Sequence, residues 1–360
     1  MKKTVALGLL AISAVVQANG VVPATDPLLR GSIYVDLARA GDRVVAVGDR
    51  GHIIYSDDEG QHWRQAETPT SVLLTAVCFA DAEHGWAVGH DAVVLGTRDG
   101  GTTWTLQYSD ALDDGAEAPD EALDEEALSD EALYSDDLYS DDLYSDDPYA
   151  DEGVAMVDTS GAPLLDVWCD SSSHAMAVGG YGYMVETRDG GDSWQRANRD
   201  MNNADGWHFY SIAPLNGEPD TLFISGEKGT LYRSRDRGET WAKLDSPYHG
   251  TFFGTVSSDV RTLLAHGLQG NVWLSRDRGD TWQKVSSGLR SGVNAGTVLS
   301  DGTLVMVGNA GAVLTSHDQG TMLSVQFVPG RQTISSVLPR KGGGVLTAGA
   351  SGVRILDNIR

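Results

Sequence analysis

The sequence predicts an all-β chain: a seven-bladed β-propeller of four-stranded antiparallel blades, with the N-terminal strand closing the last blade and a disordered acidic insertion. Three observations predict it. The pattern Ser/Thr-x-Asp-x-Gly-x-Thr/Ser-Trp recurs along the chain, Gly-x-x-Gly turns return at a nearly fixed interval, and short apolar runs of strand length lie between them.

The first pattern is complete at residues 97–104, 187–194, 234–241 and 275–282. Residues 56–63 keep it with His62 in place of the hydroxyl, and a sixth copy beginning at Ser316 ends in Leu323 instead of Trp. Its residue types suit a tight turn between strands. The short carboxylate and the hydroxyl accept the turn's own N–H groups, Gly takes the φ > 0 position, and Trp begins the next strand. These aspartates therefore read as structural, and neither catalysis nor metal binding is needed to explain them.

The Gly-x-x-Gly turns, with Ala92 for the second Gly in one copy, open at Gly48, Gly89, Gly179, Gly226, Gly267, Gly308 and Gly349, with spacings of 41, 90, 47, 41, 41 and 41 residues. The spacing of 90 is one repeat carrying an insertion. Length alone would divide 360 residues into two domains, whereas the repeats argue for one ring. Within blade 2 the strands read 73–80, 85–89, 93–97 and 104–108, so the Asp pattern joins strands three and four. Blade 7 offers 333–338, 345–349 and 353–357 and no fourth run. Counting back from Gly48 by the interval between the Trp position and the next repeat glycine assigns residues 21–28 as its outer strand, which would close the ring.

Lys2 and Lys3, the apolar run from Val5 to Val16 and the small-residue site ending at Ala18 read as a secretory signal peptide over residues 1–18, leaving 19–360 as the propeller. An exported protein follows, periplasmic if the host is Gram-negative, and no stretch is long enough for a membrane span. Cys78 lies eleven residues before Gly89 and Cys169 ten before Gly179. A one-residue offset in a strand turns side chains to opposite faces, so buried free thiols are expected in place of a disulfide.

The insertion covers about residues 110–158. Residues 110–152 hold 19 of the acids behind the net charge of −25, and no Lys or Arg occurs between Arg98 and Arg188. Pentapeptides run in tandem from Glu121, placing Leu123, Leu128, Leu133, Leu138 and Leu143 five apart. That period matches neither helix nor strand, and with this charge the segment is expected to be disordered when free.

The Asp pattern resembles the Asp-box, or BNR repeat, of sialidases and several non-enzymatic β-propellers. The full unit, a Val-Gly-x-x-Gly turn, an apolar strand and then the box, is similar to the photosystem II stability/assembly factor family over nearly the whole chain outside residues 1–20 and the acidic stretch. That resemblance implies a non-enzymatic, protein-binding propeller, an assembly or accessory factor that docks exported loops or tails of a membrane complex. Two features depart from the family pattern: there is no lipid-attachment Cys, and the acidic insertion is additional. The alternatives are a sialidase-like glycoside hydrolase and an accessory subunit of an envelope transporter. Against hydrolysis, the Arg-Ile-Pro entry motif is absent, the blade count is seven, and Asp91, Tyr181, Tyr183 and Glu227 form no assignable acid/base pair. No cofactor is expected. The nine histidines lack zinc-type spacing, and the acidic balance disfavours nucleic acid.

In an antiparallel blade, alternate loops fall on opposite faces of the disc. The Asp-boxes take one face; the Gly-x-x-Gly turns, the connectors between blades and the insertion take the other, which is the candidate for function. The residue 18 positions before each repeat glycine is Arg30, Ser71, Gly161, His208, His249, Arg290 and Arg331. Arg290, Arg331 and Arg30 thus fall in consecutive blades, forming an expected arc near the channel entrance that His249 extends; Arg50 and Lys228, in Gly-x-x-Gly turns, add charge. Planar guanidinium forks suit carboxylates, so this is the expected partner-binding site. The insertion, on the same face, reads either as a tethered competitor for the arc or as an independent solvated tail that aids solubility or weakly collects Ca²⁺.

Overall fold

The second strand of every blade contains an apolar run, as in Arg43–Gly48 (RVVAVG) or Gly85–Gly89 (GWAVG), that is buried almost throughout. A strand buried on both faces must be covered by a sheet on each side, and a ring of stacked blades meets that demand. The computed structural model describes residues 31–110, 161–197, 201–357 and 359. Among them stand seven antiparallel sheets, six with four strands and the last with three. Blade 1 runs Tyr34–Ala40, Arg43–Gly48, Ile53–Ser56 and Arg64–Gln65, and the others repeat that meander. Blade 2 runs Leu74–Phe79, Gly85–Gly89, Val94–Thr97 and Thr105–Tyr108, within a residue of the strands expected at each end.

The first strand of each blade lies innermost and touches its counterpart in the next, and Ile334–Pro339 of blade 7 meets Tyr34–Ala40 of blade 1 to close the ring. Trp63 and Leu346 share one core at that seam, and Arg39 donates to the Pro339 carbonyl at 2.8 Å. The expected signal peptide and the strand at residues 21–28 lie outside the described residues, as does the insertion from 111 to 160.

The repeat glycines have a steric cause. A β-carbon on Gly48, Gly226, Gly267 or Gly308 would lie 2.0–2.2 Å from the carbonyl oxygen of Ile33, His208, Thr251 or Gly292 respectively. The residue after each glycine donates its N–H to that same carbonyl, as in Asp49 to Ile33 and Glu227 to His208, both at 3.0 Å. Each connector is thereby tied to the turn of its own blade, and no side chain fits in the contact.

The Asp-boxes are closed upon themselves. In blade 2, Asp99 Oδ1 accepts the N–H groups of Thr102 at 2.9 Å and Thr103 at 3.0 Å, and its Oδ2 accepts the Thr103 hydroxyl at 2.7 Å. Thr97 Oγ1 accepts the Gly101 N–H at 3.0 Å, and Trp104 Nε1 donates to the Gly101 carbonyl at 3.1 Å. In blade 1 the His62 ring takes the hydroxyl's place, 2.6 Å from Asp58. Donors of this kind hold the carboxyls low: the Ser193 hydroxyl and amide bring Asp189 down to about 2.

Cys78 and Cys169 form a disulfide with Cα atoms 6.0 Å apart, which corrects the expectation of free thiols. The one-residue offset is real, since Cys78 stands opposite Trp86 and Cys169 opposite Ala175. In a ring, however, the front of blade 2 packs against the back of blade 3. Side chains that meet between stacked blades must leave opposite faces of their own sheets, so the offset is what brings the sulfurs together.

Two tests follow from these contacts. Gly267→Ala should lower stability by about 3 kcal/mol in urea unfolding, whereas Gly342→Ala, with nothing within 4 Å of the added carbon, should leave the midpoint within error. Protease cleavage confined to residues 111–160 should leave one band on a non-reducing gel and two after reduction, because the bond joins Cys78 to Cys169 across the cut.

Candidate functional site

The two faces of the disc treat positive charge differently. On the Asp-box face most cations are engaged by neighbouring blades. Arg98 reaches Asp192 at 3.0 Å, Arg188 reaches Glu239 at 2.5 Å and Arg276 reaches the Thr321 hydroxyl at 2.6 Å, each linking one box to the next. At the hairpins of this side Arg43 pairs with Asp57, Arg39 with Glu59 and Arg237 with Asp220 inside a single blade, and Arg237 also reaches Asp170 of blade 3.

On the connector face the arrangement is reversed. In blades 1, 3, 4, 5 and 6 the Gly-x-x-Gly turn is a single 3-10 turn whose apex residue adopts the left-handed conformation: Arg50 at φ 53, Tyr181 at 55, Lys228 at 51, Gln269 at 56 and Ala310 at 55. That conformation lifts the apex side chain away from the blade. The following connector then crosses the turn, so that a β-carbon on Gly229 would meet the Tyr248 carbonyl and one on Gly311 would meet the Arg331 backbone. Arg50, Lys228, His249, Arg290 and Arg331 are all exposed, and none makes an ion pair among the described residues. The turns of blades 5 to 7 (residues 268–270, 309–311 and 350–352) and the connectors between them (286–292 and 328–333) contain no Asp or Glu, while Arg290 and Arg331 stand there.

The expected arc is only partly drawn by the structure. Arg30 lies outside the described residues. The Arg331 guanidinium stacks over the Phe327 ring, 4.2 Å from its centre. Phe327 ends the outermost strand of blade 6, so this charge sits toward the rim of the disc and not at the channel entrance. Of the residues weighed for hydrolysis, Tyr183 has its hydroxyl 2.6 Å from that of Tyr108 and bonded to Asp110.

Charge periodicity alone misses a band of aromatic rings on the same face. Tyr181, 47% exposed, meets His208 edge-on at 4.8 Å; His208 lies 6.3 Å from Tyr210, and Tyr210 meets Phe253 at 5.7 Å. The band crosses blades 3, 4 and 5. Beside it Lys228 lies over the Trp207 ring at 5.7 Å. The signal was present in the sequence: Trp207-His208-Phe209-Tyr210 runs into the inner strand of blade 4, Phe209–Leu215, and Phe252-Phe253 begins that of blade 5.

Tyr210 and Phe253 also line the central channel, a cavity of about 210 Å³ that contains Asp36, Asp166, His266 and Asn294. These polar groups bridge inner strands. Asp36 accepts the Val77 N–H at 3.0 Å and the Ser336 hydroxyl at 2.8 Å, Asp166 accepts the Ile212 N–H at 2.8 Å, and Asn294 donates to the Ile334 carbonyl at 2.9 Å. Burial raises both carboxyls; with the charge of Asp36 added, it pushes Asp166 up to about 7. Burial pulls the His266 imidazole the other way, down to about 4. Among the described residues, no three of His, Cys, Asp and Glu gather as a metal site requires, and no helix is long and apolar enough to cross a membrane.

The channel carboxyl sets a pH dependence. Folding raises the Asp166 pKa from its ordinary value of 3.8 to about 7, so protonation favours the fold as pH falls through about 7, and the gain is complete below 3.8. His266, whose pKa is depressed from 6.5 to about 4, has the opposite effect across that lower window. Comparing Asp166→Asn with the parent chain cancels the His266 contribution. The stability of the variant relative to the parent, measured by urea unfolding, should decline from pH 8 to pH 5.

Comparisons with known proteins agree with this architecture. The family model described as Photosynthesis system II assembly factor YCF48 matches residues 59–118, and the model described as Sortilin, neurotensin receptor 3 matches residues 182–324. The photosystem II stability/assembly factor HCF136 of Cyanidioschyzon merolae is 38% identical over 79 residues, 21% of this chain and 17% of that protein. The photosystem II assembly protein Ycf48 of Thermosynechococcus vestitus is 40% identical over 53 residues, 13% of this chain and 15% of that protein. The matched stretches thus span about a sixth of the length of these curated relatives. Among solved structures, YCF48 bound to a D1 peptide superposes with a TM-score of 0.62 at 16% identity, covering 92% of this chain and 97% of that one. The WD40 propeller domain of Doa1 superposes with a TM-score of 0.61 at 12% identity, covering 91% and 93%. At such identities these superpositions establish the fold. The chain is a BNR-type β-propeller that resembles the photosystem II assembly factors.

Proposed function

We propose that this chain is an exported, non-enzymatic propeller that binds protein partners through its connector face and serves as an assembly or accessory factor for a membrane complex. One observation carries the reading: cations on the box face are largely paired with carboxylates, whereas Arg50, Lys228, His249, Arg290 and Arg331 on the connector face are exposed without a carboxylate partner among the described residues. Beside Lys228 runs an aromatic band. Rings next to an exposed cation suit a peptide that offers both carboxylates and apolar side chains. Arg30 belongs to the proposed surface by its repeat position.

The comparisons support the same reading. The matched relatives bear the names of assembly factors, and one solved neighbour holds a peptide. By that likeness the partner is an exported loop or tail of a membrane complex. A disulfide fits a compartment on the oxidising side of a membrane. No cofactor, metal or nucleic acid enters the proposal.

Affinity-tagged chain recovered from detergent-solubilised membranes should carry a discrete partner. Arg290→Glu/Arg331→Glu, checked for folding by circular dichroism, should recover at least ten times less of it. Equal recovery by the two proteins would remove the connector face from the function.

A further inference from the structure

The acidic insertion leaves the ring and re-enters it at one point. Asp110 Oδ2 accepts the Gly161 N–H at 2.8 Å, while its Oδ1 accepts the Tyr108 hydroxyl at 2.9 Å and the Tyr183 hydroxyl. The Arg196 guanidinium covers the Tyr183 ring at 4.3 Å. Asp110 and Gly161, which flank residues 111–160, are therefore held together at the junction of blades 2 and 3 on the connector face. The place is two residues along the chain from Tyr181, where the aromatic band begins.

From that point the face changes character in a definite order. The rings of Tyr181, His208, Tyr210 and Phe253 come first, across blades 3 to 5. Lys228 and His249 are exposed in blade 4 and in the connector leaving it, and Arg290 opens the sector of blades 5 to 7 that has no carboxylate in its turns or connectors. Asp205 and Glu227 stand beside the band, Asp205 accepting from Trp207 Nε1 at 3.1 Å. The surplus of positive charge therefore lies farther along the path than the rings.

We infer that this strip seats the chain's own acidic repeats, residues 121–145. Their composition matches it in both respects. Leu123, Leu128, Leu133, Leu138 and Leu143 recur every fifth residue, with Tyr134, Tyr139 and Tyr144 following the last three, and acids separate them throughout. The apolar side chains have rings to cover, and the carboxylates have Lys228, His249 and Arg290 to neutralise. The period of five, unsuited to a helix or a strand of this protein, is suited to repeated presentation of one short unit. Every tandem copy offers a Leu flanked by acids, and the last three add a Tyr. Attachment at Asp110 and Gly161 supplies an effective concentration on the order of millimolar, so a unit that binds weakly as a free peptide occupies the strip when tethered. The inference rests on the connector face being a docking surface, and it adds that the first occupant is part of the same chain.

The test uses the full chain and a variant in which residues 111–160 are replaced by a short Gly-Ser linker, keeping Asp110 and Gly161. A fluorescent synthetic peptide of residues 126–146 is titrated into each at low salt and followed by anisotropy. The linker variant should bind the peptide at least ten times more tightly than the full chain. Tyr181→Ala and Lys228→Glu/Arg290→Glu, made in the linker variant, should each weaken binding at least tenfold. A peptide of the same composition with its Leu and Tyr residues moved to one end should bind several times more weakly. Equal affinity for the full chain and the linker variant, absence of binding at millimolar peptide, or equal binding of the rearranged peptide would each overturn the inference. The probe is synthetic, so failure to recover a membrane partner leaves this result untouched; a seated peptide together with no recovered partner would overturn only the assembly-factor reading.

Discussion

The ring depends on one close approach made in every blade. The carbonyl of the last connector residue occupies the space where the repeat glycine would carry a β-carbon, and the amide after that glycine donates to it. This contact ties the chain entering a blade to the turn between its second and third strands. It fixes the height at which the inner strand starts and presses each connector close to the turns, so both belong to one face. A side chain there would separate inner strand from second strand and tilt the blade against its neighbours. The face with exposed cations and rings is therefore a by-product of backbone sterics, and its charges are held at positions set by the repeat.

A second set of contacts works at the centre. Inner strands of neighbouring blades splay too far apart for a continuous ladder, which leaves edge groups facing the gap. Side chains complete them: Asp36 to blades 2 and 7, Thr75 to the Leu164 carbonyl at 2.6 Å, Asp166 to blade 4, His266 with the Val293 carbonyl at 3.0 Å, and Asn294 to blade 7. Between blades 4 and 5 the link is the edge-on contact of Tyr210 with Phe253. This belt explains why carboxyls persist in a nearly apolar ring: a carboxylate accepts a backbone N–H that no apolar residue at that position would satisfy. The cost is burial of charge, seen as the raised Asp36 and Asp166.

Architecture was legible because it is written in period. Glycines 41 residues apart, the Asp-box hydroxyls and the strand lengths each specify a local shape that recurs, and blade 2 follows the expected strands to within a residue. Features that arise between blades were not legible. The disulfide was misjudged because register within a sheet says where a side chain points, while only stacking says what it meets. No two of the belt residues Asp36, Thr75, Asp166, His266 and Asn294 share both type and distance from the repeat glycine, so no alignment of repeats singles them out. Arg331 illustrates the limit for the candidate site. Its repeat position places it in a connector, but its side chain lies over the ring of Phe327, at the end of the outermost strand of blade 6, a contact that no repeat alignment indicates.

The clasp at Asp110 has a consequence for how such a chain can vary. Its carboxyl joins the two ends of the acidic segment with a single N–H···O contact, and the Cys78–Cys169 bridge holds the flanking blades beside it. The geometry of the wheel is thus indifferent to how many residues pass between those ends. Pentapeptide units can be gained or lost by slippage in the gene without moving a blade, so the number of acidic copies is a quantity that selection can adjust by itself, separately from the scaffold that carries them.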